Sequence, residues 1–176
     1  MTEDPIDEVM KILGYTVWEA QDTEATIHVS MSVLFGLSEM ESVEKLKDVY
    51  ARKTLGQFLA LLRKRIGLSS AFDRFLLDYI EQRNFIVHNL SRTSIFVPYD
   101  ERGREKLTNL LMAFRQTNRK IHLTFIALTE VWMRKLGASN VDEKRLQSLK
   151  DAGLLEEIER DFIPNLSAMF RQNSST

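Results

Sequence analysis

Hydrophobic positions recur at steps of three and four along most of the chain, the spacing that gathers side chains on one face of a helix turning about 100° per residue. From Pro5 to about Phe35 the pattern runs Ile6, Val9, Met10, Leu13, Val17, Ala20, Ile27, Met31 and Leu34. Pro5 behind Glu3 and Asp4 suits a first helical turn and Gly36 suits a stop, so this stretch is predicted as one long helix. Val43, Leu46, Val49 and Tyr50 behind Ser42 predict a shorter helix. Leu55 to Leu62 predict another, which closes in Arg63-Lys64-Arg65 before Gly67, cations suited to the negative end of a helix dipole.

Residues 70 to 90 read as a central helix behind Ser69 and Ser70, with Phe72, Leu76, Tyr79, Ile86 and Val87 on one face. Arg83 falls in the middle of that face, while Glu81, Asn84 and His88 continue a polar stripe with Arg74 and Asp78. Ser91 to Tyr99 is β-branched and ends at Pro98 and Tyr99; with no second strand to pair with, it reads as an extended loop. A long helix follows from Asp100 to about Gly137, carrying Leu107, Leu110, Leu111, Phe114, Ile121, Phe125, Leu128, Val131 and Trp132. Beyond it, one short helix is expected to begin at Asn140 or Asp142 and end at Gly153, and another is expected over Leu154 to Phe162, interrupted by Pro164. Residues 173 to 176 are expected to be disordered.

These elements predict an all-α fold: an antiparallel helical bundle of about four main helices with short C-terminal helices. The whole chain, 1–176, reads as a single domain, with the bundle over about 5–137 and a C-terminal helical extension over 138–172. Cysteine is absent, which removes disulfides, thiolate catalysis and sulfur-ligated zinc. The best candidate for a membrane span, Ile27 to Leu37, contains His28, Ser30 and Ser32 and is too short. The N-terminus, with Glu3, Asp4, Asp7 and Glu8, is acidic where a signal peptide is basic. A soluble cytoplasmic protein without a membrane partner is the expectation.

A formal net charge of −1 hides a polar distribution. Residues 1–50 hold three basic and eleven acidic side chains, residues 51–135 sixteen basic and seven acidic. The basic block either attracts phosphates or faces the acidic first third across an interface.

Most classes of chemistry fail on the residues. Histidine occurs at 28, 88 and 122, on separate predicted helices and without metal-ligand spacing, and the seven glycines form no phosphate-cradling loop. No metal and no cofactor are expected. The remaining candidates are Arg83, Asn84 and His88, in a segment apolar enough that a guanidinium needs a partner or a wet cleft.

Arg83-Asn84-Phe85-Ile86-Val87-His88, set near the end of a later helix in an all-α chain with a long first helix, resembles the motif of HEPN domains, the "higher eukaryotes and prokaryotes nucleotide-binding" superfamily. The resemblance implies a homodimer whose two motifs meet across a cleft and, in many members, a metal-independent endoribonuclease acting as a toxin or antiviral effector. His88 would then be the general base or acid at the ribose 2′-hydroxyl and leaving oxygen. Arg83 would stabilise charge on the phosphate, and Asn84 would orient His88 or the phosphate. RNA is the implied partner, with an antitoxin or regulatory protein as a further one. Toxins of this kind that are paired with minimal nucleotidyltransferases often carry Tyr two residues after the His; Leu90 stands there instead, which puts control by that route in doubt.

On an ideal helix Arg83 and His88 lie about 140° apart, so they do not share a face. Either the helix loosens before His88, or Arg83 of one subunit works with His88 of the other. Three readings stay open: a dimeric ribonuclease, a non-catalytic HEPN-like RNA- or nucleotide-binding module, and a helical adaptor in which Arg83 pairs internally with Glu24 or Glu81.

Overall fold

The structure is a computed structural model and describes residues 4–36, 55–57, 60, 63, 70–135, 143–151 and 153. The helices expected over 42–50 and 154–162, and the 173–176 tail, lie outside the described residues. Among the described residues four α-helices follow in chain order: α1 (Pro5–Gly36), α2 (Ser70–Asn84), α3 (Glu101–Lys135) and α4 (Glu143–Asp151). Residues 55–57, 60 and 63 are helical too, and no described residue lies in a β-strand. The fold is an all-α helical bundle. None of the described helices is long and apolar enough to cross a membrane.

The core is the seam between the two long helices. From α1 come Val9, Ala20, Ile27 and Met31, and from α3 Leu107, Leu111, Phe114, Ile121, Phe125, Leu128 and Trp132, all buried. Each such Leu, Ile or Phe contributes about 2 kcal/mol by leaving water. Alanine at 20 and 127, both fully buried, lets the helices approach closely. Four hydroxyls of α1, those of Thr16, Thr23, Ser30 and Ser32, are buried as well. Thr16 and Ser32 donate back to the carbonyls of Ile12 and His28, at 2.7 and 2.8 Å, while Ser30 crosses to the Phe125 carbonyl at 3.1 Å. Their polarity therefore costs the seam little.

Cross-helix contacts fix the directions. Glu19 meets Arg115 and Asn118, Thr23 meets His122 and Ser30 meets Phe125, so α1 and α3 rise together. In contrast α2 runs against α3. Lys120 lies over the Phe75 ring, 5.2 Å from its centroid, and one turn further along α2 the Tyr79 ring stacks on Phe114 at 5.9 Å. The consecutive helices α2 and α3 are thus antiparallel, and α1 runs parallel to α3.

Phe72, Leu76 and Tyr79 are the buried face of α2, as the periodicity requires. The Tyr79 hydroxyl donates to Asn118 Oδ1 at 2.8 Å, and Asn118 Nδ2 donates to the Glu19 carbonyl at 3.2 Å, so one side chain joins three helices. Burial pushes the Tyr79 phenol well above its ordinary range, against the pull of the nearby Arg83 cation, and keeps it a neutral donor.

Between α2 and α3 the chain does form a loop, but a wound one rather than an extended one. A 3-10 turn spans Leu90–Arg92, Thr93 caps it by donating its N–H and its hydroxyl to the Leu90 carbonyl, and further turns reach Pro98. At the far end, Gly153 takes φ +67° and donates to the Lys150 carbonyl at 2.8 Å, the left-handed stop expected there for α4.

Gly103, in the first turn of α3, lies against the backbone of Val97, where an added Cβ would run into the Val97 carbonyl. Gly103→Ala should therefore displace the loop or the helix start and lower stability by about 2 kcal/mol, read as a reduced urea midpoint with an unchanged slope.

Candidate functional site

The last turn of α2 carries Arg83 and Asn84, and the helix then widens into a π-helical turn, Phe85–Asn89. An i→i+5 turn brings residues five apart over one another, where an α-helix would set them about 140° apart. Arg83 Nη1 consequently lies 3.0 Å from His88 Nε2 within one chain. Of the two arrangements the motif allowed, the loosened helix is the one present. The widening also keeps the apolar register, because Ile86 and Leu90 are both buried. Without it, His88 would continue the polar stripe away from Arg83.

Two other contacts set the guanidinium. Nη2 donates to Glu24 Oε2 on α1, and Nη1 also donates to Asn84 Oδ1 at 3.0 Å. Nε is buried without a hydrogen-bond partner among the described residues. The Arg83 side chain is only 13% exposed and that of Glu24 22%, so the pair is partly desolvated and each charge depends on the other. Asn84, His88 and Asn89 are exposed. The site is thus a cation with its inner edge on a carboxylate and its outer edge turned to an imidazole and an amide at the surface.

Donor and acceptor chemistry fixes one further detail. A guanidinium has no lone pair to offer, so His88 Nε2 must be the acceptor in the 3.0 Å contact, and the proton of the neutral ring sits on Nδ1. Nε2 is thereby held as a base. Asn84 spends its oxygen on Arg83 and makes no hydrogen bond to His88 in this arrangement.

Of the residues singled out by sequence, Arg83, Asn84 and His88 are brought together. Glu24 was one of two carboxylates eligible to pair with Arg83, and it is the one that does; Glu81 is exposed on the other side of α2. Missed entirely was Asn118, whose signal was an amide at a helical step between Phe114 and Ile121 in an otherwise apolar stripe. Trp18, a lone Trp at helical spacing for which a core or dimer contact is the ordinary reading, is 62% exposed in the single chain.

The charge asymmetry acquires a partial explanation. Two carboxylates of the acidic α1 meet arginines of the basic block. One is Glu24 with Arg83, the other Glu19, which takes Arg115 Nε and Nη2 on its two oxygens at 2.7 and 2.8 Å. The Arg115 hydrogen bonds hold the Glu19 carboxyl below its ordinary range. Across that seam opens a cleft of about 470 Å³ lined by Trp18, Asp22, Arg115, Arg119 and His122. His122 Nδ1 stands 3.5 Å from the Thr23 hydroxyl and 3.8 Å from Asp22 Oδ2.

Compared with known proteins, the chain matches no protein-family model, no curated protein and no solved structure.

Glu24 also bears on His28, one turn along α1: burial pushes the imidazole below its usual 6.5, and the Glu24 charge opposes that fall. A lowered native value means that the unfolded chain takes up the His28 proton first, so stability is lost as pH falls below 6.5 towards the native value. Glu24→Gln should lower the His28 titration midpoint further, followed by its ring-proton chemical shifts. The same variant leaves Arg83 without a counter-charge and should cost about 1–2 kcal/mol in chemical denaturation at pH 7.

Proposed function

We propose that the protein is a metal-independent endoribonuclease of HEPN type, acting as a homodimer and serving as a toxin or as an antiviral or stress effector. The observation that carries the reading is the contact between Arg83 and the surface-exposed His88, made by a π-helical turn. Such turns cost regular hydrogen bonding and concentrate at functional sites. Here the turn aligns the one permanent cation and the one proton-transfer group of the motif.

In this reading RNA supplies a phosphodiester that takes the outer edge of Arg83. His88 Nε2 accepts the proton of the ribose 2′-hydroxyl, the 2′ oxygen bonds to phosphorus, and the bond to the 5′ oxygen breaks. The departing 5′ oxygen takes a proton from solvent, to which the His88 imidazolium returns the one it accepted, leaving a 2′,3′-cyclic phosphate and a 5′-hydroxyl. An imidazole can take and return a proton near neutral pH, and a guanidinium can follow the charge that grows on the phosphoryl oxygens. Asn84 stands where it can bond the phosphate once Arg83 Nη1 turns to it. No step calls for a metal ion.

A second reading is favoured by a specific observation, the ion pair of Arg83 with Glu24. If that pair is the whole role of Arg83, the chain is a helical adaptor or an RNA-binding module, and His88 is a surface histidine that caps it.

Purified protein incubated with RNA in excess chelator separates the two. Wild type should cleave, leaving cyclic-phosphate ends, and His88→Ala and Arg83→Ala should each reduce the rate at least about a hundredfold. Cleavage retained by both variants would sink the ribonuclease reading. Binding without cleavage, weakened by salt and lost in Arg83→Ala, would establish the binding module instead. Expression in a bacterial host should slow growth, and His88→Ala should relieve it.

A further inference from the structure

The cleft across the α1–α3 seam holds two charges that the fold leaves unmatched. Glu19 pairs with Arg115 at one level and Thr23 meets His122 at the next, so Asp22 of α1 and Arg119 of α3, which lie between those rungs, stand level across the cleft. They form no ion pair with each other. Arg119 is exposed and makes no hydrogen bond or ion pair among the described residues. Asp22 is exposed too. Its Oδ2 stands 3.8 Å from His122 Nδ1, too long for a hydrogen bond, and its Oδ1 accepts none among the described residues. A carboxylate and a guanidinium that face each other without closing leave room for a group of each sign between them.

The wall one turn back along α1 is Trp18, and Met112 of α3, also exposed, lines the cleft with it. An indole beside a thioether is a surface onto which a flat ring packs. One helical turn rises about 5.4 Å, a span that an aromatic side chain covers from its own α-carbon. Charge narrows the occupant further. Glu19 and Asp22 cancel Arg115 and Arg119, so the cleft is formally neutral and has no attraction for a polyanion such as RNA. Glu19 spends both oxygens on Arg115, which leaves one carboxylate and one guanidinium to a ligand. The volume of about 470 Å³ is that of a small-molecule site.

We propose that the cleft binds a free aromatic α-amino acid, with its carboxylate on Arg119, its ammonium on Asp22 and its ring against Trp18 and Met112. Every contact comes from one chain. Glu24 lies about 160° round α1 from Asp22, so the cleft is separate from the Arg83–His88 site and the proposal stands whether or not that site cleaves RNA.

Isothermal titration calorimetry of the full chain with L-phenylalanine tests it. Wild type should bind with a dissociation constant below about 1 mM, and the ligand should raise the melting temperature. Phenylalaninamide lacks the carboxylate and N-acetylphenylalanine lacks the ammonium, and each should bind at least about tenfold more weakly. Arg119→Gln and Asp22→Asn should each weaken L-phenylalanine about tenfold, with circular dichroism unchanged because both side chains are at the surface. The pairings are read from the cycle: Arg119→Gln should no longer distinguish the amide from the amino acid, while Asp22→Asn still does. Absence of heat from L-phenylalanine, L-tyrosine and L-tryptophan up to about 5 mM overturns the proposal. So does equal binding of the capped analogues, which reduces the site to ring burial, and so does binding indifferent to both substitutions, which places the ligand elsewhere. Heat from adenosine monophosphate but from none of the amino acids assigns the cleft to a nucleotide and also overturns it.

Discussion

A guanidinium that cannot shed its proton sits with 13% of its side chain exposed, and much of the arrangement around it follows from that constraint. Arg83 needs a negative partner, and the one it takes is on α1, 59 residues earlier in the chain. The ion pair therefore fixes how α2 lies on α1 at the level of Glu24. It also limits what the rest of the guanidinium can do. With Nη2 committed inward, Nη1 faces the surface, where it needs acceptors that tolerate water, and Asn84 and His88 supply them.

Behind the site the α1–α3 seam carries polar groups of unequal weight. Glu19 and Arg115 are about one-third exposed, so their two-pronged pair adds little stability and serves mainly to hold the helices in register. Asn118 matters more. It is 4% exposed and bonded on both sides, so loss of either partner would leave a buried polar group unmet. Because Tyr79 is that partner and stands one turn before Arg83, the core contact also sets the rotation of α2 that presents Arg83 to Glu24.

The sequence made the fold legible where the period of hydrophobic residues was long and unbroken. Both long helices, the buried face of α2 and the stop at Gly153 were readable because each depends on local spacing or on a glycine at a helix end. The motif residues were readable as polar intrusions in an apolar segment. What could not be read was the turn that joins them. A π-helical turn leaves no mark in the hydrophobic pattern beyond a shift of one position, and Ile86, Val87 and Leu90 fit either register well enough to hide it. Glu24 was legible only as one of two possible partners, since choosing between it and Glu81 depends on how two distant helices pack. Asn118 was hidden for the same reason.

The two roles open to Glu24 differ by which nitrogens a ligand would use. If the carboxylate occupied the whole fork, phosphate would have to displace it from a partly buried place, and the pair would count as structure alone. It takes one nitrogen, Nη2, on the inner side. Nη1 is shared between Asn84 and His88 at 3.0 Å each, contacts to neutral groups at the surface that a phosphate oxygen can replace with a charge-assisted bond. In the ribonuclease reading that exchange frees His88 Nε2 as the phosphate arrives, so the base is unmasked only with substrate in place. Glu24 then acts as the anchor against which the guanidinium turns, and the ion pair that favours a structural role is equally what an Arg needs in order to offer one edge while keeping its charge inside the fold.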